Sequence, residues 1–328
     1  MSSYLLIGGA GVFAVHTASY LLQLPETKKV ISVGRNIERS PAYTLNVGAK
    51  DPRYSYHQIH LNFELDRLME LIDKTQPEYI INYAALAYAT SWEKAYRYYE
   101  TNLLSVVRLC EELYSRKFLK KFIQIGTSEL YGSVAQPANE DAPLYPTSPY
   151  AVSKLAADQH LQTLHLANKL PINIIRPSNA YGPGQQIWRV IPRVIYCILT
   201  DQKLPLHGGG KVKKSYFHAY DLAKAIKLVA DKAPVGEIYN VGPDEPISIK
   251  DLIMMITREM RVDFNQVCEI VPGRVGEDAQ YWLKSDKIKH LGWQQEISLQ
   301  EGIRDMIHWG KKHLDFLHNE AQEFVLHA

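Results

Sequence analysis

The chain has 328 residues with 37 basic and 35 acidic side chains, and its formal charge of +2 lacks the basic excess typical of nucleic-acid or anionic-membrane binding. Its three cysteines, Cys110, Cys197 and Cys268, lie far apart without a C-x-x-C pair, which argues against a disulfide framework and a zinc site. We therefore expect a large core, small-molecule chemistry and a cytoplasmic location, with no metal, nucleic-acid or membrane partner.

Short apolar runs alternate with helix-like stretches through the first half of the chain. Continuous apolar runs predict strands of a parallel sheet covered on both faces, and the β-α-β-α order predicts a doubly wound sheet. The predicted strands are 4–8, 30–34, 79–85, 121–126 and 172–177, and the predicted helices are 12–24, 64–75, 96–116 and 149–169.

The rhythm changes after Pro177, where glycine-rich clusters such as "HGGGKVKK" predict loops. The stretch 216–232 again has the pattern of a strand followed by a helix. We expect a Rossmann-type α/β domain over 1–178, with a return segment at about 215–235, and a smaller α/β substrate lobe from 179–214 and 236–328. His218 lies in an apolar context, which favours a packed structural histidine.

Three glycines, Gly8, Gly9 and Gly11, follow the first predicted strand and open the first predicted helix. A backbone without Cβ can approach a pyrophosphate closely, and a helix N-terminus offers free N–H groups. A plain turn is the alternative, but the position inside a βαβ unit favours a dinucleotide site. We expect Gly8, Gly11, Val12 and Phe13 to contact the cofactor.

The second predicted strand ends at Gly34 and Arg35, where an NAD enzyme usually has an acidic residue for the ribose 2′-hydroxyl. An arginine can pair with a 2′-phosphate, so Arg35 and its neighbour Asn36 favour NADP, with NAD as the alternative. A solvated surface arginine is the simpler interpretation of the same residue.

Tyr150 and Lys154 stand four residues apart after Pro149, a residue suited to the first turn of a helix. They therefore share one helical face. An adjacent ammonium lowers the pKa of a tyrosine, so the pair predicts a base towards an alcohol at neutral pH.

Thr127 and Glu129 directly follow the strand predicted at 121–126, at the end of the sheet where ligands bind in open α/β folds. Thr127 can hydrogen-bond a substrate hydroxyl, and Glu129 offers a second acid or base. The alternative for each residue is a turn or cap without catalytic function.

These motifs together resemble the extended short-chain dehydrogenases/reductases of the nucleotide-sugar epimerase/dehydratase family. The Tyr-Lys pair with the glycine loop is specific for the superfamily but does not define the reaction. The resemblance covers nearly the whole chain, through "GGAG" (8–11), "YAA" (83–85), "TSELYG" (127–132), "YAVSK" (150–154), "RPSNAYGPGQ" (176–185) and "GRVGED" (273–278).

Within that family the resemblance implies a 4,6-dehydratase, because similar 4-epimerases usually have a small apolar residue in place of Glu129. The string "TSELYG" is most similar to GDP-mannose 4,6-dehydratases, which use NADP, so a GDP-sugar is the expected substrate. In the implied reaction Tyr150 takes the 4-hydroxyl proton as hydride leaves C4, Glu129 removes the C5 proton, water departs, and hydride returns to C6. The alternatives are a UDP-glucuronate-type decarboxylase, a 4-epimerase, and a non-catalytic NAD(P)-binding sensor.

The resemblance also implies further contacts. Ala84 and Ala85 would lie against the cofactor, and Ser128 stands where thymidine-diphosphate-glucose dehydratases have the acid for the departing 6-hydroxyl. Relatives pair the helices corresponding to 96–116 and 149–169 in a dimer interface, so we expect a homodimer, although the same apolar faces could belong to the core. The implied substrate-binding residues are Ser128, Asn179, Lys214 and Arg274.

Overall fold

The computed structural model describes residues 1–87, 92, 94–273 and 279–323. Its strands are β1 (Ser2–Ile7), β2 (Thr27–Gly34), β3 (Tyr54–Gln58), β4 (Tyr79–Asn82), β5 (Lys121–Ile125), β6 (Ile172–Pro177), β7 (Asn179–Tyr181), β8 (Leu204–His207), β9 (Lys213–Lys214), β10 (Tyr216–His218), β11 (Ile238–Val241), β12 (Ile247–Ser248) and β13 (Cys268–Val271). The α-helices are α1 (Val12–Gln23), α2 (Pro41–Thr44), α3 (Leu65–Thr75), α4 (Tyr96–Tyr99), α5 (Ser105–Leu113), α6 (Pro149–Asn168), α7 (Val190–Leu199), α8 (Ala219–Lys232), α9 (Ile249–Met260), α10 (Phe264–Val267), α11 (Asp286–His290), α12 (Leu299–Lys312) and α13 (Leu314–Leu317). A π-helical turn, Glu100–Leu104, joins α4 to α5.

A seven-stranded sheet forms the centre of the molecule, in the order β11-β6-β5-β4-β1-β2-β3, and each neighbouring pair is parallel. The chain begins in β1, builds outward through β2 and β3, and then crosses to β4 on the other side. The carboxyl ends of β1 and β4 therefore flank the point where the strand order reverses, which is the ligand-binding crevice of doubly wound folds. The fold class predicted from the sequence is confirmed.

Buried side chains of the sheet and its helices form two apolar clusters, in which Leu6 belongs to one and Leu5 to the other. A third cluster joins α7, α9 and α12 in the smaller lobe, and Tyr43 of α2 belongs to it. The helix α2 follows β2 in sequence but packs into the smaller lobe, so it links the two parts of the molecule.

The predicted division into two domains stays a prediction, with one boundary moved by the sheet topology. The strand β11 pairs with β6 in the main sheet. The return segment therefore extends to Val241 rather than ending near 235. The sequence missed the edge strand β3, whose residues are only half-buried and lack a continuous apolar run.

Among the described residues, none of the helices combines the length and the apolar character that crossing a bilayer requires. The same part of the chain contains no cluster of three or more His, Cys, Asp or Glu side chains suited to a metal ion. His218 is buried, and its Nδ1 accepts a hydrogen bond from the Tyr220 amide at 3.2 Å, so it caps α8 as a structural histidine.

Candidate active site

The glycine turn between β1 and α1 has a backbone that a larger residue would disrupt. Gly8 adopts φ +82°, and a Cβ there would lie 2.7 Å from the Ala84 amide nitrogen after β4. The Gly8 amide donates to Val33 at 2.8 Å, and Gly11 caps α1. An open helix N-terminus beside a side-chain-free turn fits the diphosphate of a dinucleotide.

The turn after β2 is exposed and carries Arg35 and Asn36. Tyr56 donates from its hydroxyl to the Asn36 carbonyl at 2.7 Å, and Gln58 donates to the Arg35 carbonyl at 3.2 Å, so β3 fixes the turn's backbone. Partial burial lowers the pKa of His60, and the Arg35 charge lowers it further. Arg35 thus lies near His60, at the end of the crevice where the adenosine half of a dinucleotide fits.

The helix α6 places Tyr150 and Lys154 in the interior. Ser148 caps the helix by accepting from the Ala151 amide at 3.1 Å, and Pro149 begins it. The exposed fraction is 8% for Tyr150 and 1% for Lys154. The Lys154 ammonium donates to the Ile125 carbonyl at 2.6 Å, which ties α6 to the end of β5.

The predicted lowering of the Tyr150 pKa is wrong for the structure as it stands. Burial raises the pKa of Tyr150, and the Glu129 charge raises it further, while a hydrogen bond with Thr127 and the Arg189 charge act in the opposite direction. Burial also lowers the pKa of Lys154 to about 8. The i, i+4 spacing does not reveal how far both groups are removed from water, and burial is the largest cause of both pKa shifts.

The loop after β5 brings Thr127 and Glu129 to the same place. Thr127 begins a 3-10 turn, Ser128–Tyr131, and its hydroxyl oxygen accepts from the Glu129 amide at 3.2 Å. Thr127 is therefore a cap and also a partner of Tyr150. Ser128 is buried and lies outside the lining of the cavity described below, so its predicted contact with substrate has no support in the geometry.

A buried ion pair lies beneath this loop. Arg176 of β6 donates to the Asp158 carboxylate of α6 at 3.0 Å and to the Tyr131 hydroxyl at 2.9 Å. A Cβ on Gly126 would lie 3.1 Å from the Arg176 side chain. Because Gly126 has no side chain, the end of β5 can approach the Arg176–Asp158 ion pair. Asp158 lies on α6, four residues beyond Lys154.

A cavity of about 540 Å³ connects these residues with the smaller lobe. Asn179 and Lys214, both expected to bind substrate, lie in its wall, and the Lys214 ammonium sits 5.6 Å from the centre of the Tyr281 ring. Arg274, the other expected phosphate contact, lies outside the described residues. The predicted residues that line the cavity are Phe13, Ala85, Thr127, Glu129, Tyr150, Lys154, Asn179 and Lys214. The predicted residues outside this lining are Gly8, Gly11, Val12, Arg35, Asn36, Ala84 and Ser128.

A family model describes the residues that build this crevice. Residues 4–242 match the model of the NAD dependent epimerase/dehydratase family, a span that ends just after β11. The chain belongs to this family. The matched span contains the seven-stranded sheet apart from the first two residues of β1. The glycine turn, the Thr127 loop and the Tyr150 helix all follow strands of this sheet.

Relatives with similar sequences and structures are named for more than one activity. The dTDP-D-glucose 4,6-dehydratase of Dictyostelium discoideum is 27% identical, over 95% of this chain and 82% of its own. The solved dTDP-glucose 4,6-dehydratase of Streptomyces venezuelae, crystallised with NAD, superposes with a TM-score of 0.88 at 26% identity, over 95% of this chain and 98% of its own. The UDP-glucuronic acid 4-epimerase of Bacillus cereus, crystallised with UDP-glucuronic acid and NAD, gives 0.85 at 26%, over 94% and 99%.

Arg189 lines the cavity but was not singled out from the sequence. It precedes α7 and lines the cavity, and its guanidinium donates to the Ala87 carbonyl at 2.8 Å and stacks 4.4 Å from the centre of the Trp188 ring. Its charge also lowers the pKa of Tyr150. The only available signal was an arginine shortly after "YGPGQ", which does not reveal that its charge acts on Tyr150.

Proposed function

We propose that the protein is an NAD(P)-dependent nucleotide-sugar 4,6-dehydratase, a lyase that converts an NDP-hexose to an NDP-4-keto-6-deoxyhexose. The observation that carries this proposal is the meeting of Tyr150, Thr127 and Glu129 in one cavity. A hydroxyl pair suits proton transfer at a sugar oxygen, and a separate carboxylate suits proton removal from carbon. The two dehydratase relatives support the same reaction.

We infer that Gly8, Gly11, Val12 and Phe13 hold a nicotinamide dinucleotide, with Ala84 and Ala85 beside it and Arg35 and Asn36 at its adenosine end. When bound, the nicotinamide supplies a hydride acceptor and donor and, in its oxidised form, a further positive charge. Arg35 supports NADP because its guanidinium can pair with a 2′-phosphate, whereas the Streptomyces venezuelae and Bacillus cereus relatives, both crystallised with NAD, support NAD. Separate titrations with the two cofactors decide this choice.

Tyr150 acts at the sugar 4-oxygen in this proposal. Its phenolate takes the hydroxyl proton as C4 is oxidised, and Thr127 orients the same oxygen through its hydroxyl. Because burial raises the pKa of Tyr150 in this structure, the phenolate depends on nearby positive charge, which Arg189 contributes.

Glu129 acts at C5 and C6. The 4-ketone acidifies the C5 hydrogen, Glu129 removes that proton, and the 6-oxygen leaves with a proton as water. Since Ser128 lies outside the cavity lining, we assign the proton of the departing water to Glu129 as well. The hydride taken from C4 returns to C6, a solvent proton returns to C5, and the proton taken from the 4-hydroxyl passes to solvent, so the overall change is the loss of one water.

Asn179 and Lys214 lie in the wall of the cavity, where an amide and an ammonium suit the diphosphate of a nucleotide sugar. The GDP preference expected from "TSELYG" finds no support in the relatives above, whose names give dTDP- and UDP-sugars. We therefore place dTDP- and UDP-hexoses first among the substrates to test.

A nucleotide-hexuronate decarboxylase is the second candidate, and Arg189 is the observation that favours it. A sugar carboxylate needs a cation in the pocket, which the sequence alone did not identify. Arg189 lines the cavity that also holds Tyr150. The decarboxylase and the dehydratase both begin with oxidation at C4. They differ afterwards, because the decarboxylase loses the C5 carboxyl group as carbon dioxide and the dehydratase loses water across C5 and C6.

The homodimer remains a proposal. Tyr99 and Leu104, on α4 and the π-helical turn, are exposed, as is Val152 on α6. These apolar side chains support the pairing of the two helices with those of a second copy, and sedimentation of Leu104→Glu against the unaltered protein tests it.

The function is tested by incubating the protein with NAD and, separately, NADP and a panel of dTDP-, UDP-, GDP- and CDP-hexoses and UDP-glucuronate. Loss of one water without net cofactor reduction, read by mass spectrometry, supports the dehydratase. Loss of carbon dioxide from the hexuronate assigns the decarboxylase, and an unchanged mass with an altered sugar NMR spectrum assigns an epimerase. Binding of the cofactor without conversion of any sugar nucleotide favours a non-catalytic NAD(P)-binding sensor.

A further inference from the structure

The last described residues, 319–323, run from α13 past α7 and α2, and we call this segment the C-terminal strap. It follows α13 and the short turn in which the Glu320 amide donates to Leu317 at 3.1 Å. The sequence predicted only that it belongs to the smaller lobe. Its contacts with α2 and α7 and its place in the cavity wall suggest a function.

At its first residues the strap is held by Tyr43 of α2. The Tyr43 hydroxyl donates to the Glu320 carboxylate at 2.6 Å, and the Arg39 guanidinium lies 3.8 Å from the centre of the Tyr43 ring. Tyr43 is buried, so this anchor is a fixed point. Arg39 belongs to the segment that leads from the Arg35 turn into α2.

On the substrate side the strap is held by α7. Arg193 donates to the Gln322 side-chain oxygen at 2.6 Å and to its backbone carbonyl at 3.2 Å. The Gln322 amide donates in turn to the Tyr196 hydroxyl at 3.4 Å. Both partners lie on the helix that begins directly after Arg189.

The strap also forms part of the cavity itself. Gln322 and Glu323 line the same cavity as Tyr150 and Glu129, together with Arg193. An amide and a carboxylate in this wall suit the hydroxyl-rich surface of a sugar nucleotide. Among the described lining residues, the one that precedes Gln322 in the chain is Tyr281, so this part of the wall comes from a distant stretch of sequence.

We propose that the C-terminal strap is a wall of the substrate site that retains the nucleotide sugar during the reaction. This inference rests on the proposed function. An enzyme that oxidises C4 and later reduces C6 must keep the 4-keto intermediate, since its escape leaves the cofactor reduced and ends the cycle. The strap lines the cavity beside α7 and is anchored to α2, the helix that follows β2 and packs into the smaller lobe.

Two shortened chains test the strap, one ending at His318 and a matched control ending at Glu323. Binding of dTDP-glucose and UDP-glucose to the cofactor-loaded protein is measured by calorimetry, and reduced cofactor is followed by absorbance during turnover. We expect the chain ending at His318 to bind the sugar nucleotide about tenfold more weakly and to accumulate reduced cofactor, because several hydrogen bonds to the site are lost. The chain ending at Glu323 should match the unaltered protein in both measurements.

Tyr43→Phe removes the hydroxyl that holds Glu320 without shortening the chain. It therefore tests the strap even if the chain ending at His318 does not fold. It should weaken sugar-nucleotide binding by about threefold, the effect of one lost hydrogen bond, with an unchanged melting temperature for the ligand-free protein within about 2 °C. If the full chain binds and the chain ending at His318 binds equally well without leakage, the strap proposal is overturned while the function stands. If the full chain binds neither sugar nucleotide nor any other of the panel, the proposed function fails first.

Discussion

The two sides of the cavity are built in different ways. The side that carries Thr127, Glu129 and Tyr150 comes from one stretch of chain, where a strand end, a capped turn and a helix start fix each side chain locally. The opposite side combines the start of α7 with the C-terminal strap, which are distant in sequence. The proposed reaction depends on the first side, and the choice and retention of substrate depend on the second.

The side of the cavity that carries Tyr150 should account for the largest loss of activity. Tyr150→Phe removes the proton acceptor at the sugar 4-oxygen, and we expect turnover to fall at least about 1,000-fold. Rapid mixing should show no reduced cofactor. Tyr4→Phe is the matched control, since Tyr4 is a buried tyrosine of β1 outside the lining of the cavity; equal losses in both variants would contradict the assignment.

Glu129→Gln separates the two halves of the proposed reaction. The amide keeps the shape of the side chain but cannot take the C5 proton, so dehydration should fall about 100-fold while C4 is still oxidised. Reduced cofactor should therefore accumulate in a single turnover. Glu111→Gln, an exposed residue of α5, is the control. Dehydration at the unaltered rate in the Glu129 variant would remove this residue from the mechanism.

Arg189→Gln tests whether the side of the cavity at the start of α7 influences Tyr150 on the other side. Loss of the guanidinium charge should raise the pKa of Tyr150 further, reduce kcat about tenfold at pH 7 and move the rising limb of the pH–rate profile to higher pH. Arg193→Gln, one helical turn along α7, is the control, and its profile should keep its position even if KM changes. Identical profiles for the unaltered protein and the Arg189 variant would contradict the electrostatic link.

His218→Asn measures a structural contribution to stability, away from the chemistry. Burial lowers the pKa of His218 to about 3, so its neutral form stabilises the fold above the ordinary histidine pKa, and this contribution is lost as pH falls from about 6.5 towards 3. Asparagine retains a cap acceptor but does not titrate. Urea unfolding at pH 7 and pH 5 should show about 2 kcal/mol less pH-dependent loss in the variant than in the unaltered protein.

His290→Asn, a change at an exposed histidine, is the control for this measurement. Equal losses between pH 7 and pH 5 for the His218 variant and the unaltered protein would show that His218 keeps an ordinary pKa in the folded chain.

The same contrast explains what could be predicted from the sequence. The glycine turn, the helix start at Pro149 and the loop after β5 follow from local backbone requirements, so their residues could be named in advance. Burial of Tyr150 and Lys154, the approach of Arg189 and the position of the strap arise from packing between distant segments. Those features set the pKa values and the cavity wall, and the sequence pattern contains no direct signal for them.

The central claim is an internal transfer between two carbons of one sugar, and isotope tracing tests it most directly. We would supply the nucleotide hexose accepted in the panel with deuterium at C4, in ordinary water, and locate the label in the product by NMR. The proposed 4,6-dehydratase predicts deuterium at C6 of a 4-keto-6-deoxy sugar, with a solvent hydrogen at C5. Deuterium retained at C4 of a stereochemically inverted sugar, or its appearance in a pentose after loss of carbon dioxide, would contradict the account.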